Sequence, residues 1–148
     1  MTPAPNASAL AAARASIDKH FARADVAAIA ASLDAERDDA VRAAWVDKAR
    51  DAMRGGSLSP LSMAVSVEVV ERARGATMAD CLRRDLDLTR STFARGDVIE
   101  GVRAVIVDKD HAPKWHYPTI PDVTAEAVAE MFESPWRADE HPLMGLRD

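Results

Sequence analysis

Asp97 and Glu100 stand three residues apart, a spacing that brings two carboxylates to one face of a helical turn, and paired carboxylates can do acid/base work. The same spacing also has the form of a capping box. In that reading the Asp97 carboxylate accepts from the backbone N–H of residue 100 and Glu100 reaches back to the N–H of residue 97. The capping box accounts for the pair without catalysis and is the reading adopted. His111 and His116 flank Lys114 and Trp115 and suggest a metal pair, but no third ligand accompanies them and a proline-broken loop fixes no geometry. Cys81, next to Leu82 in a helical stretch, reads as a small core side chain rather than a nucleophile. Arg103 reads as a buried or interfacial ion-pair partner, and His20, beside Phe21, as structural. Gly55-Gly56, the one glycine pair, follows a helical stretch and so terminates it; it is no oxyanion loop. No catalytic residue and no metal ligand is assigned.

The elements that carry these residues are helical, and capping residues punctuate them. Ser8 caps a first helix through Leu10, Ile17 and Phe21, and Asp25 caps a second in which Val26, Ile29 and Leu33 recur at helical spacing. A third runs from about Asp38 through Val41, Trp45 and Ala49 to Met53. Ser59-Pro60 restarts the chain as an N-cap with proline at the first helical position, and Met63, Val67 and Val70 form the expected apolar stripe. Thr77 and Asp80 open a fifth helix in which Met78, Leu82, Leu86 and Phe93 share an apolar face, with Arg83, Arg84 and Arg90 mostly elsewhere, and Gly96 closes it. A short helix over roughly 98–108 follows Asp97. The stretch 110–121, with Pro113, Pro118 and Pro121, is expected to be extended and held by Trp115 and Tyr117. Thr124 starts a last helix through Val128, Met131 and Phe132. The expectation is an all-α protein of about seven helices: a flexible lead-in over 1–7, a helical domain over 8–134 and an irregular tail over 135–148.

The 148 residues suit one domain, and a net charge of −5 argues against a nucleic-acid partner. No apolar stretch approaches the ~20 residues of a membrane span. The single cysteine cannot close an intrachain disulfide, so the expected location is reducing and cytoplasmic.

The run Asp97-Val98-Ile99-Glu100-Gly101-Val102-Arg103-Ala104, continued by Val107-Asp108-Lys109-Asp110 and Pro113-Lys114-Trp115, resembles the C-terminal signature of the 3-hydroxyisobutyryl-CoA hydrolases, a branch of the enoyl-CoA hydratase/isomerase (crotonase) superfamily. Ser59-Pro60-Leu61-Ser62, Ile17-Asp18-x-x-Phe21, Trp45, Val123-Thr124 and His141-Pro142-Leu143 are similar to the same family in the same order. The chain departs from it at Asp85-Leu86-Asp87-Leu88 and at Val98. The resemblance implies a helical C-terminal module of a thioester hydrolase of valine breakdown, without the crotonase core that carries the family's acid/base carboxylates and oxyanion hole. It implies no cofactor, with coenzyme A entering as part of the substrate. It places Lys109 where relatives often hold a basic residue near the CoA phosphates; a lysine at a helix C-terminus is also explained by the dipole alone. It implies a crotonase-core polypeptide as partner, or self-association, with acyl-CoA reached only through that partner. The other reading is a non-catalytic helical interaction module.

Overall fold

The computed structural model describes residues 9–36, 44–137 and 139–148. Among the described residues seven α-helices form the architecture: α1 (Ala9–Phe21), α2 (Val26–Asp34), α3 (Ala44–Arg54), α4 (Pro60–Ala73), α5 (Met78–Arg95), α6 (Val98–Val102) and α7 (Ala125–Met131). A π-helical turn (Arg103–Val107) extends α6 and a 3₁₀ turn (Ile120–Asp122) precedes α7. Among the described residues there is no strand, and the all-α expectation holds. The chain falls into two compact units, residues 1–52 and 53–148. Ser8, the lead-in and the expected start of the third helix at Asp38 and Val41 lie outside the described residues.

In the first unit Asp25 caps α2 as its sequence requires: its backbone is extended (φ −152°) and its carboxylate accepts from the Ala28 N–H at 2.8 Å. Val26, Ile29 and Leu33 turn inward, and Val46 of α3 is fully buried. His20 is buried as well. Its Nδ1 lies 2.9 Å from the Ser32 hydroxyl and its Nε2 3.3 Å from the Glu36 carboxylate, which Lys19 also holds at 2.5 Å. The Trp45 ring stands edge-on to it at 6.2 Å. The Ser32 bond at Nδ1 and the ring contact with Trp45 make His20 a packing residue between α1 and α2, while its buried Nε2 makes no hydrogen bond among the described residues.

The second unit is organised by Leu61, Val65, Leu88 and Met131, with Val69, Val128 and Phe132 packed around them, so that α7 lies against both α4 and α5. In this unit α4, α5 and α7 begin where their capping residues direct. Ser59, Thr77 and Thr124 each accept, at 3.1 Å, the N–H three residues on. Gly96 ends α5 for a steric reason, since a Cβ there would stand 2.8 Å from the Thr92 carbonyl oxygen.

Two expected apolar faces are corrected. In α4 the buried line is Leu61/Val65/Val69, not Met63/Val67/Val70, and Val70 is 60% exposed. The stretch Pro60–Val70 is apolar almost all round, so periodicity admits either stripe and packing against α7 selects one. In α5 Met78, Leu82 and Phe93 face outward, with Met78 70% exposed, while Ala79, Leu88 and Ser91 are buried.

The C-terminal tail takes part of α5's other side. It is irregular, yet Arg83 donates to the carbonyls of Leu143 (3.1 Å) and Leu146 (2.6 Å), and the Asp148 carboxylate accepts from the Ala79 N–H at 2.9 Å. His141 lies 3.2 Å from Asp87, and its Nδ1 accepts from the Leu143 N–H. Asp87 is one of the departures from the family pattern noted above, and here it anchors the tail.

Leu61→Ala removes buried apolar volume and is expected to cost about 2–4 kcal/mol in urea denaturation. Val70→Ala on the rejected stripe is expected to change stability by less than about 0.5 kcal/mol; equal losses in the two variants would restore the 63/67/70 face.

Candidate functional site

The residues with chemical potential converge on the segment 97–117. Asp97 precedes α6, is 7% exposed and makes no capping bond to that helix. Its Oδ2 accepts the Ser59 hydroxyl at 2.5 Å and its Oδ1 accepts the His116 N–H at 2.9 Å. The capping box expected at Asp97 and Glu100 is therefore absent. The physical reason is competition: Ser59 already accepts the Ser62 N–H, so its own proton is free to donate, and a buried carboxylate with two tertiary donors gains more than one with a local amide. Ser62 N–H, Ser59 hydroxyl, Asp97 carboxylate and His116 N–H form one continuous chain of hydrogen bonds.

Glu100 is taken by Arg103. The guanidinium grips it in bidentate fashion, Nη2 to Oε1 at 2.7 Å and Nε to Oε2 at 2.9 Å, while the Lys114 N–H donates to Oε1 at 2.6 Å. Arg103 Nη1 also reaches Asp108 (2.6 Å) and Asp110 (2.8 Å), and Nη2 reaches the Ala112 carbonyl at 3.2 Å. The hydrogen bonds from Arg103 and then from the Lys114 N–H hold the Glu100 carboxyl at about 2, below its ordinary 4.5. Asp110 is lowered too, first by the Ala112 N–H and then by Arg103, and the three carboxylates raise Arg103 in return. A general base works best with a pKa near the operating pH, so Glu100, ionised and fully engaged, is an architectural anion. Arg103 is the ion-pair partner its position suggests.

This ion cluster fixes an irregular backbone. The expected helix over 98–108 is α-helical only to Val102; beyond it the Asp108 N–H bonds the Arg103 carbonyl at 2.8 Å, the five-residue step of a π-helix. Lys109 (φ 55°) and His111 (φ 52°) follow in the left-handed region, which is costly for residues with a Cβ. The surrounding bonds, including His111 N–H to the Ala104 carbonyl at 3.0 Å, determine that path. Lys109 is exposed, and its ammonium makes no hydrogen bond or ion pair among the described residues. Trp115 closes the segment onto the body, as expected: its Nε1 donates to the Gly56 carbonyl at 2.7 Å, and its ring lies 3.5 Å from where a Cβ on Gly101 would stand. Gly56 has φ +70°, in keeping with a helix terminator.

Among the described residues no three His, Cys, Asp or Glu are placed to hold a metal, and no helix is long and apolar enough to cross a membrane. Cys81 is half-buried on α5. The bonds from Ser59 and His116 to Asp97 carry no sequence signal of their own, because the partners lie 38 and 19 residues away.

A family model described as enoyl-CoA hydratase/isomerase matches residues 1–132. The chain belongs to that family. It is 29% identical over 127 residues to 3-hydroxyisobutyryl-CoA hydrolase 1 of Arabidopsis thaliana, covering 84% of this chain and 33% of the relative. It is 34% identical over 77 residues to the mitochondrial 3-hydroxyisobutyryl-CoA hydrolase of Rattus norvegicus, covering 52% and 20%. A small ribosomal subunit protein of Arabidopsis thaliana is 31% identical over 115 residues, covering 76% and 27%. The crystal structure of an enoyl-CoA hydratase from Rhodobacter sphaeroides superposes with a TM-score of 0.77 at 29% identity, over 90% of this chain and 37% of that one. The chain thus spans about a fifth to a third of the curated relatives it matches, which fits a C-terminal portion of the 3-hydroxyisobutyryl-CoA hydrolase branch.

Two results are expected. Asp97→Ala leaves the buried Ser59 hydroxyl and the His116 N–H without their acceptor and should cost about 2–4 kcal/mol in denaturation, against less than about 1 kcal/mol for the exposed Asp122→Ala. Because Glu100 is depressed on folding, its contribution is fully present above its ordinary 4.5 and is lost as pH falls towards about 2. Melting temperature in low salt should therefore drop across that interval, and Glu100→Gln should make the drop shallower; an unchanged slope would remove the Arg103 grip as its cause.

Proposed function

We propose that this chain is the C-terminal helical part of a 3-hydroxyisobutyryl-CoA hydrolase-like enzyme and that it works on an acyl-CoA thioester only together with a crotonase-core polypeptide. The observation that carries the reading is the consumption of the signature's polar groups by architecture. Asp97, Glu100, Arg103, Asp108 and Asp110 are bonded to one another or to nearby Ser59 and backbone groups. Thioester hydrolysis requires a carboxylate acting on water or on the acyl carbon, and two backbone N–H donors for the oxyanion. In this reading the partner supplies both.

The surface offered to that partner is apolar. Ile99, Val102, Val105, Ile106 and Val107 are all exposed, Ile106 by 64%, within nine residues of α6 and the π-helical turn. Such a patch suits an obligate contact. Lys109 follows it directly, and the proposal gives its ammonium the CoA phosphates. The match to a ribosomal protein favours a second reading, a non-catalytic module that binds a crotonase-type protein or itself through the same patch.

The test is a co-expression of the chain with a crotonase-core polypeptide of the same source. Turnover of 3-hydroxyisobutyryl-CoA by the complex and by neither chain alone is expected, with Ile106→Asp abolishing assembly. In the complex Lys109→Ala should raise KM for the CoA ester several-fold with kcat nearly unchanged. A stoichiometric complex without turnover would select the non-catalytic reading.

A further inference from the structure

The stretch 139–148 runs along one side of α5, in the opposite direction to it. Ala79, Arg83 and Asp87 stand four residues apart and so share one row of the helix. Each meets a successively earlier part of the stretch. The Ala79 N–H donates to the Asp148 carboxylate at 2.9 Å, Arg83 donates to the Leu146 and Leu143 carbonyls at 2.6 and 3.1 Å, and Asp87 lies 3.2 Å from His141. Further along, the Arg90 guanidinium covers the Trp136 ring at 4.4 Å, and Trp136 meets the His141 ring edge-on at 6.3 Å. Ala79 lies in the first turn of α5, where an N–H has no partner within the helix, so the Asp148 carboxylate is its acceptor.

Apolar contact contributes little to this docking. Within the stretch only His141 is buried; Leu143 and Leu146 are half-buried, Met144 is exposed, and none of them belongs to the Leu61/Val65/Leu88/Met131 cluster. Docking also strands polar atoms. His141 Nδ1 accepts the Leu143 N–H, so the ring's proton sits on Nε2, yet Nε2, Asp87 Oδ1 and Trp136 Nε1 are all buried without a hydrogen-bond partner. Lifting the stretch lets water satisfy all three while exposing little apolar surface, whereas opening the α4/α5/α7 core exposes much. Bonds from one arginine and one amide are what oppose the lifting.

We propose that residues 139–148 are a strap that opens from α5 as a unit while the helices stay folded, alternately covering and presenting the Ala79/Arg83/Asp87 row. In the closed state that row holds an irregular stretch of chain by its carbonyls, its imidazole and one acidic side chain. In the open state the same amide, guanidinium and carboxylate face solvent together along one side of the helix. The strap is separate from the apolar patch on α6 and the π-helical turn, and the inference stands whether or not the chain serves a hydrolase.

The experiment is amide hydrogen exchange of the full 148-residue chain, followed by NMR over a range of low urea concentrations. Ala79 and Leu143 are expected to exchange together, about a hundredfold faster than Leu88 and with little dependence on urea, because their opening exposes little surface. Cys81, whose N–H bonds the Thr77 carbonyl at 3.0 Å, reports fraying of the same helix end. Arg83→Gln should speed Ala79 and Leu143 about tenfold and leave Cys81 and Leu88 nearly unchanged. Asp148→Ala should speed Leu143 as well as Ala79, although Leu143 makes no bond to that side chain, since a strap that opens as a unit couples the two. Three outcomes would overturn the proposal at the wild-type stage: exchange of both amides at the Leu88 rate with the same urea dependence, no protection of Ala79 at all, or Cys81 exchanging in step with Ala79. Leu143 unmoved by Asp148→Ala, or both amides unmoved by Arg83→Gln, would overturn it at the variant stage.

Discussion

The buried carboxylate of Asp97 is the constraint on which the second unit depends. It is held from two directions, by the hydroxyl that starts α4 and by the backbone N–H of His116 beyond the π-helical turn. A charge at this depth is tolerated only where charge-assisted hydrogen bonds replace its hydration. That requirement fixes three separate pieces of chain relative to one another: the entry to α4, the entry to α6 and the segment leading to Tyr117. Tyr117 in turn packs against the Leu61/Val65/Leu88/Met131 cluster, so the polar node and the apolar core share an edge.

Arg103 acts in the same manner a few residues further on, at half-exposed sites where ionic attraction is weaker but geometry is bidentate. Its bonds to Glu100, Asp108, Asp110 and the Ala112 carbonyl hold the chain through a π-helical turn and two left-handed residues. In the resulting shape Val105, Ile106 and Val107 are exposed and Lys109 follows them. Polar residues build the support, and what they display is mostly apolar. A signature rich in carboxylates thus reads as scaffolding, and the chemistry proposed for the family is sought outside these residues.

The tail follows the same logic at α5. Arg83, Asp87 and the N–H of Ala79 each bind the chain between His141 and Asp148, so an irregular stretch is ordered by side chains and helix-end groups. Met78, Leu82 and Phe93 of the same helix stay exposed.

What the sequence determined by itself was local. Asp25, Ser59, Thr77 and Thr124 start helices because a short polar side chain satisfies an amide three residues away; Gly56 follows α3 in the left-handed region that glycine adopts without penalty, and Gly96 ends α5 where a Cβ would meet the Thr92 carbonyl; neither effect needs a distant partner. The family was legible too, in the run from Asp97 to Trp115. Tertiary structure decided which stripe of α4 and α5 is buried, because a helix apolar on several sides is indifferent until a neighbour arrives. It also decided the fate of Asp97 and Glu100. A capping box and a buried tertiary node ask for the same residues at the same spacing, and only the placement of Ser59, Arg103 and the His116 N–H in space determines which set of donors the two carboxylates accept.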